Sequence, residues 1–169
     1  MNKITKLSLS LAIASLPFTS VNASNDMYVG VNVFKHNLTL GDDEKSSEIN
    51  INLKAGMIIN QDRVYIQTGK LYDNDGVSYS STTLNYDFNL GKEDGITAYA
   101  GVHIGQDTFK INGSSNKEIS KGFQVSFTKE LFKNQELETG FRYTDSNNQI
   151  ESYKVNYAHI FYIAYNFKF

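Results

Sequence analysis

The sequence predicts an all-β chain, an eight-stranded, antiparallel, up-and-down transmembrane β-barrel. Three observations predict it. First, the final stretch from Tyr153 to Phe169 alternates strictly. Val155, Tyr157, His159, Phe161, Ile163, Tyr165, Phe167 and Phe169 fall in one register, and Asn156, Ala158, Ile160, Tyr162, Ala164, Asn166 and Lys168 in the other. A period of two marks a strand with two unlike faces, and a row of aromatics on one face needs a cover such as lipid. Second, the only proline is Pro17, so nothing interrupts strand ladders further along. Third, beyond residue 23 no apolar run reaches the ~18 residues a spanning helix needs. A barrel spans with only its outer face apolar.

Composition narrows the function classes. The 16 Lys and Arg against 18 Asp and Glu leave no basic footprint for nucleic acid. With no cysteine, disulfide frameworks and thiolate metal sites are excluded.

Residues 1–23 read as a cleaved signal peptide. Lys3 and Lys6 supply its positive start and Leu7 to Leu16 its apolar core. Val21-Asn22-Ala23 fits the peptidase site, leaving residues 24–169 as one barrel domain.

Strand one runs from Met27 to Lys35, with Val29, Val31 and Val33 against Gly30 and Asn32. Strand two, Ile49 to Ile59, sets Ile49, Ile51, Leu53, Ala55 and Met57 against Asn50, Asn52, Lys54 and Gly56. Strand three, Arg63 to Leu71, opposes Val64 and Ile66 to Tyr65, Gln67 and Gly69. Strand four, Val77 to Leu90, places Leu84, Tyr86, Phe88 and Leu90 opposite Thr83, Asn85, Asp87 and Asn89. Strand five, Ile96 to Phe109, alternates Ile96, Ala98, Ala100, Val102 and Ile104 with Thr97, Tyr99, Gly101, His103 and Gly105. Strand six, Lys121 to Leu131, shows Phe123, Val125 and Phe127 against Gly122, Gln124, Ser126 and Thr128. Strand seven, Glu136 to Thr144, sets Leu137, Phe141 and Tyr143 against Glu138, Gly140 and Arg142, and strand eight is the terminal stretch. Lys129 and His159 sit uneasily in the apolar register.

Turn chemistry at Asn60-Gln61-Asp62, Gly91 to Gly95 and Lys133-Asn134-Gln135 gives short connections. His36 to Ser47, Asp73 to Gly76, Lys110 to Ser120 and Asp145 to Glu151 read as loops, most of them longer. Short turns on one side and longer loops on the other suit a membrane barrel. The inside-out alternative, a soluble lipocalin-like barrel, would turn Gly and amides toward water where charges normally stand.

A terminal Phe preceded by apolar residues at alternate positions, here Phe169, Phe167, Tyr165, Ile163 and Phe161, resembles the C-terminal signature of bacterial outer-membrane β-barrels. Along 24–169 the architecture is similar to the small OmpA/OmpX-like barrels. The resemblance implies a Gram-negative cell outer membrane and barrel-assembly machinery reading the last strand. It also implies contact with outer-membrane lipid and lipopolysaccharide, and a monomer without cofactor.

The polar register carries Lys54, Arg63, Asp87, Glu138 and Arg142. Eight strands leave a lumen that side chains fill, and charges buried there must pair. An ion-pair network plugging the barrel is expected; its functional variant is a gate in a narrow porin-like channel. The third class is a lipid A-modifying enzyme, which needs a Ser near a positioned His. His103 is followed by Ile104-Gly105 and His36 by Asn37-Leu38, so the spacing of lipid A deacylases is missing and no catalytic residue is expected. Asp42-Asp43-Glu44 and Asp73-Asn74-Asp75-Gly76 lack the distal Glu of a calcium loop, so no metal site is expected. The expected role is membrane-structural or adhesin-like. Polar loops with Lys45, Lys110, Lys117 and Lys121 would meet lipopolysaccharide, host or phage surfaces.

Overall fold

The computed structural model describes residues 27–40, 44–74, 77–150 and 153–169. Of these, 35–40, 44–48, 71–74, 77, 147–150 and 153–157 are described by backbone alone. The expected leader, 1–23, lies outside them. The strands are β1 Met27–Leu40, β2 Glu44–Ile59, β3 Asp62–Asn74, β4 Val77–Glu93, β5 Ile96–Ile111, β6 Ser114–Phe132, β7 Gln135–Ile150 and β8 Tyr153–Lys168. Each pairs antiparallel with the next, and β8 returns to β1, so the sheet closes without an edge through the apolar belt. The ends interlock at the seam: Met27 N donates to Phe169 O at 3.2 Å and Phe169 N to Met27 O at 2.9 Å.

The alternation sorts side chains as their chemistry requires. Val31, Leu53, Leu84, Val102, Phe123 and Phe161 lie exposed on the outside, while Asn52, Asn85, His103, Gln124 and Arg142 are buried inside. On β5 the apolar outward positions run from Ile96 to Ile104, matching the ~9–11 residues a tilted strand needs to cross a bilayer. His159 stays outward, with its ring 5.2 Å from Tyr143 and 6.0 Å from Phe141, so aromatic neighbours accommodate it. Lys129 also stays outward, paired with Ile96 and Leu137. The bulge that relaxes this corner lies just beyond it, between Glu130 and Phe132.

At the end that carries Met27 and Phe169 the turns are tight. Asn60 and Gln61 both have positive φ (52° and 76°), as do Asp94 and Gly95 (48° and 77°), the signature of hairpin turns whose twist matches the flanking strands. The far end departs from the sequence reading. Most of His36 to Ser47, Lys110 to Ser120 and Asp145 to Glu151 is strand; β5 and β6, for example, meet at Asn112-Gly113. Pairing needs only backbone groups. Beyond the apolar belt polar residues occur on both faces, so alternation fades while the ladder continues. The asymmetry between the two ends is therefore one of strand protrusion rather than of loop length.

One hairpin protrudes without neighbours. The β2–β3 ladder stops at Asn52–Gly69 and the β1–β8 ladder at His36–Ile160, whereas β1 and β2 pair on to Leu40–Glu44. Among the described residues, the outer part of the β1–β2 hairpin thus has two unpaired edges.

Candidate functional site

Among the described residues the lumen is the densest polar site, and glycines make it possible. Gly101 faces Asp87, Gly122 faces His103, Gly140 faces Tyr162 and Gly69 faces Asn52 across their ladders. A Cβ at any of them would overlap that partner or the backbone beside it. Each missing side chain leaves room for a large one that reaches across the barrel.

Glu138 on β7 is the hub at the terminal end. Its Oε2 accepts from Lys54 Nζ at 2.7 Å, Arg63 Nη1 at 2.8 Å and Asn166 Nδ2 at 2.9 Å; its Oε1 accepts from Tyr162 at 2.9 Å. Arg63 also turns to Asp87, donating from Nη2 at 2.5 Å and Nε at 3.1 Å, and reaches Ser126 Oγ at 3.1 Å. Its guanidinium lies 3.9 Å from the centroid of Tyr99, a cation–π contact strengthened by loss of water. The four charges sum to zero, and multiple hydrogen bonds saturate the two carboxylates. Those are the conditions under which burying ions is tolerated.

Arg142 stands apart from the expected ion pairs. Nη1 donates to Asn85 Oδ1 at 2.9 Å, Gln124 Oε1 at 3.2 Å and Gln67 Oε1 at 3.5 Å, and Nη2 donates to Thr83 Oγ1 at 2.9 Å. Its partners are thus neutral amide and hydroxyl oxygens. Glu138 shares its strand and face but lies four residues away, about 13 Å along an extended chain. Gln124 couples the two layers. Its Nε2 donates to Asp87 and, at 2.5 Å, to Tyr65, while its Oε1 receives Arg142. Gln124, Tyr162, Asn166 and Tyr65 were not singled out from the sequence. Their register positions were legible, but a neutral polar residue gives no sign of which charge it meets.

Toward the far end the lining turns partly apolar. Tyr79, Phe109 and Ile111 are buried, and Tyr79 and Phe109 meet edge to face at 6.1 Å. The Tyr79 hydroxyl donates to Asp107, which also accepts from Ser120 at 2.8 Å. Burial, with Asp107 beside it, holds this hydroxyl well above its ordinary range. A cavity of about 10 Å³ remains beside Arg142, lined by Asn52, Gln67, Thr83 and Thr144 among others, room for about one water. His103 meets Thr144 Oγ1 at 3.1 Å inside this packed interior. The side chain of His36 lies outside the described residues, as do Asp42, Asp43, Asp75 and Gly76. No cluster of metal-ligating side chains occurs among the described residues.

The residues of the expected assembly signal occupy the outer face of β8. Phe161, Ile163, Phe167 and Phe169 are exposed. Tyr165 is half-buried, its hydroxyl donating to Gln135.

Solved structures share this architecture. Neisserial surface protein A (NspA) superposes with a TM-score of 0.67 at 15% identity, covering 87% of this chain and 98% of that one. The fold is that of the small eight-stranded outer-membrane β-barrels. Ail, the attachment invasion locus protein of Yersinia pestis, gives a TM-score of 0.55 at 12% identity over 87% of this chain and 100% of that one. The outer membrane protein OprG of Pseudomonas aeruginosa gives 0.53 at 12% identity over 87% and 96%. No protein-family model matches the sequence, and no curated protein matches it. At these identities the likeness is one of fold.

Proposed function

We propose that the chain is an outer-membrane protein with a closed lumen that acts through the surface it presents outside the cell. Met27, Phe169 and the short turns face the periplasm, and the protruding strands face outward. The observation that carries this reading is the packed interior. Side chains from most strands bridge the lumen, and the cavity beside Arg142 has room for about one water. A barrel filled in this way offers no route for solute, which leaves the outer rim as the working part. The β1–β2 hairpin supports the same reading, because unpaired strand edges are templates for pairing with another chain. Among proteins of this fold, Ail is an attachment protein by name, which makes an adhesin-like role natural here. A narrow channel finds no support in this packing. Lipid A chemistry finds none at His103, which is enclosed with a threonine.

Phe161, Ile163, Tyr165, Phe167 and Phe169 serve, in this reading, as the strand recognised by barrel-assembly machinery. The test is planar-bilayer recording on the refolded protein together with binding of expressing cells to host-cell surfaces. The expected result is adhesion without conductance. Stepwise single-channel currents, with no gain in adhesion, would overturn it.

A further inference from the structure

We propose that Asn112 is a site of spontaneous deamidation, so that the far-end tip of the β5–β6 hairpin acquires a carboxylate as the protein ages.

Asparagine is a thermolabile residue, and Asn112-Gly113 is the one Asn-Gly pair in the sequence. The pair forms the turn between Ile111 and Ser114, where the β5–β6 ladder ends. Both residues have positive φ, 46° and 91°, the arrangement that matches the twist of the flanking strands. The hydrogen bond of such a turn joins its first and last residues. The N–H of Gly113 lies outside it. Asn112 and Gly113 are both exposed, and a Cβ on Gly113 would meet nothing within 4 Å. The side-chain amide carbon and the nitrogen that can attack it are therefore adjacent, with open space around them.

The chemistry needs only water. The Gly113 nitrogen attacks Cγ of Asn112. The N–Cγ bond forms, the bond from Cγ to the side-chain nitrogen breaks, and the proton from Gly113 N leaves with ammonia. The product is a five-membered succinimide. Water then opens the ring at one of two carbonyls. Breaking the new N–Cγ bond gives aspartate. Breaking the original peptide bond gives isoaspartate, which places an extra methylene in the main chain. Nothing is oxidised or reduced. Either product adds a negative charge to a chain whose formal net charge is already −2.

The surroundings select this asparagine over others. The turn holds Asn112 away from the ring-closing ψ, so the step waits for the tip to open. The end of a ladder, with exposed backbone bonds, opens more readily than its middle. Asn60 and Asn134 also occupy exposed turns with positive φ, 52° and 65°. Each is followed by glutamine, and only glycine allows so close an approach to the backbone. Asn116 lies on the same hairpin, but the N–H that could attack it, that of Lys117, donates to Asn116 Oδ1 at 3.0 Å. Asp94-Gly95 has a similar turn, φ 48° and 77°, but no ammonia to lose.

The experiment incubates the refolded protein in detergent micelles at neutral and at mildly alkaline pH. Trypsin, used in heavy-oxygen water to mark any change made during digestion, releases the peptide from Ile111 to Lys117. Mass spectrometry follows the exchange of amide for carboxyl at each asparagine, and isoaspartyl methyltransferase labelling counts the rearranged product. The expected result is conversion at Asn112, faster at alkaline pH and well ahead of Asn60, Asn116 and Asn134. Gly113→Ala should slow it about tenfold by crowding the attacking nitrogen. No conversion at Asn112 in the folded protein, whether or not the urea-unfolded chain reacts, would overturn the proposal. Equal rates at Asn112 and Asn116, or an unchanged rate in Gly113→Ala, would also overturn it. If Gly113→Ala does not fold, the comparison among the four asparagines of the wild type carries the test.

Discussion

Gly101 and Asp87 face each other across the β4–β5 ladder, and the Asp87 carboxylate occupies the space a side chain at 101 would need. That carboxylate receives Arg63 and Gln124, so the glycine indirectly sets the geometry of the charged layer. Gly101→Ala should cost about 1–3 kcal/mol through overpacking. Gly113 is the control. A Cβ there meets nothing within 4 Å, but its φ is +91°, so Gly113→Ala should cost about 1 kcal/mol from backbone strain alone. Urea unfolding in detergent, followed by the heat-modifiable band, measures both. Equal, negligible effects would show that the lumen has slack.

Glu138 should be the most sensitive position in the interior. Removing its carboxylate leaves Lys54 and Arg63 with only Asp87 as counter-charge. Glu138→Ala should therefore destabilise by roughly 3–5 kcal/mol. Glu138→Gln with Lys54→Met restores neutrality and keeps an acceptor for Arg63, so it should recover most of that loss. The same unfolding assay decides. A Glu138→Ala midpoint close to wild type would mean that water reaches the charges.

Arg142→Ala should not open a pore. The Arg63–Glu138–Asp87 layer beneath it is held by its own contacts, and Tyr79 and Phe109 fill the far end. Planar-bilayer recordings of wild type and variant should both show zero conductance. Current through the variant alone would make Arg142 a gate.

Phe169 should matter for assembly more than for stability. Its side chain is 66% exposed, while its backbone is tied to Met27, so Phe169→Ala leaves the seam bonds in place. The expected outcome is a lower folded amount in the outer membrane, with an unchanged unfolding midpoint for refolded protein. An unchanged amount in cells would remove the assembly role.

The strands within the belt were legible because apolar residues recur with period two there. Ile96 to Ile104 and Phe161 to Phe169 could be assigned to the outside residue by residue. The protruding ends were not, because at Lys110 to Ser120 polar residues occupy both faces and leave no periodic signal, although backbone pairing continues. The lumenal charges were legible as a set, since they share the polar register. Their partners were not, because partners are chosen by proximity across a closed barrel. Arg142 and Glu138 share one strand and one face, but four extended residues separate them, so Arg142 falls to amides from β3, β4 and β6.

The orientation of the two registers is tested most directly by a single reporter. The chain has no cysteine, so Val102→Cys and Lys117→Cys can each carry one fluorophore in reconstituted vesicles. Brominated acyl chains should quench the label at 102 strongly and the label at 117 weakly. A label at 102 that is quenched by aqueous iodide and untouched by brominated lipid would contradict the account.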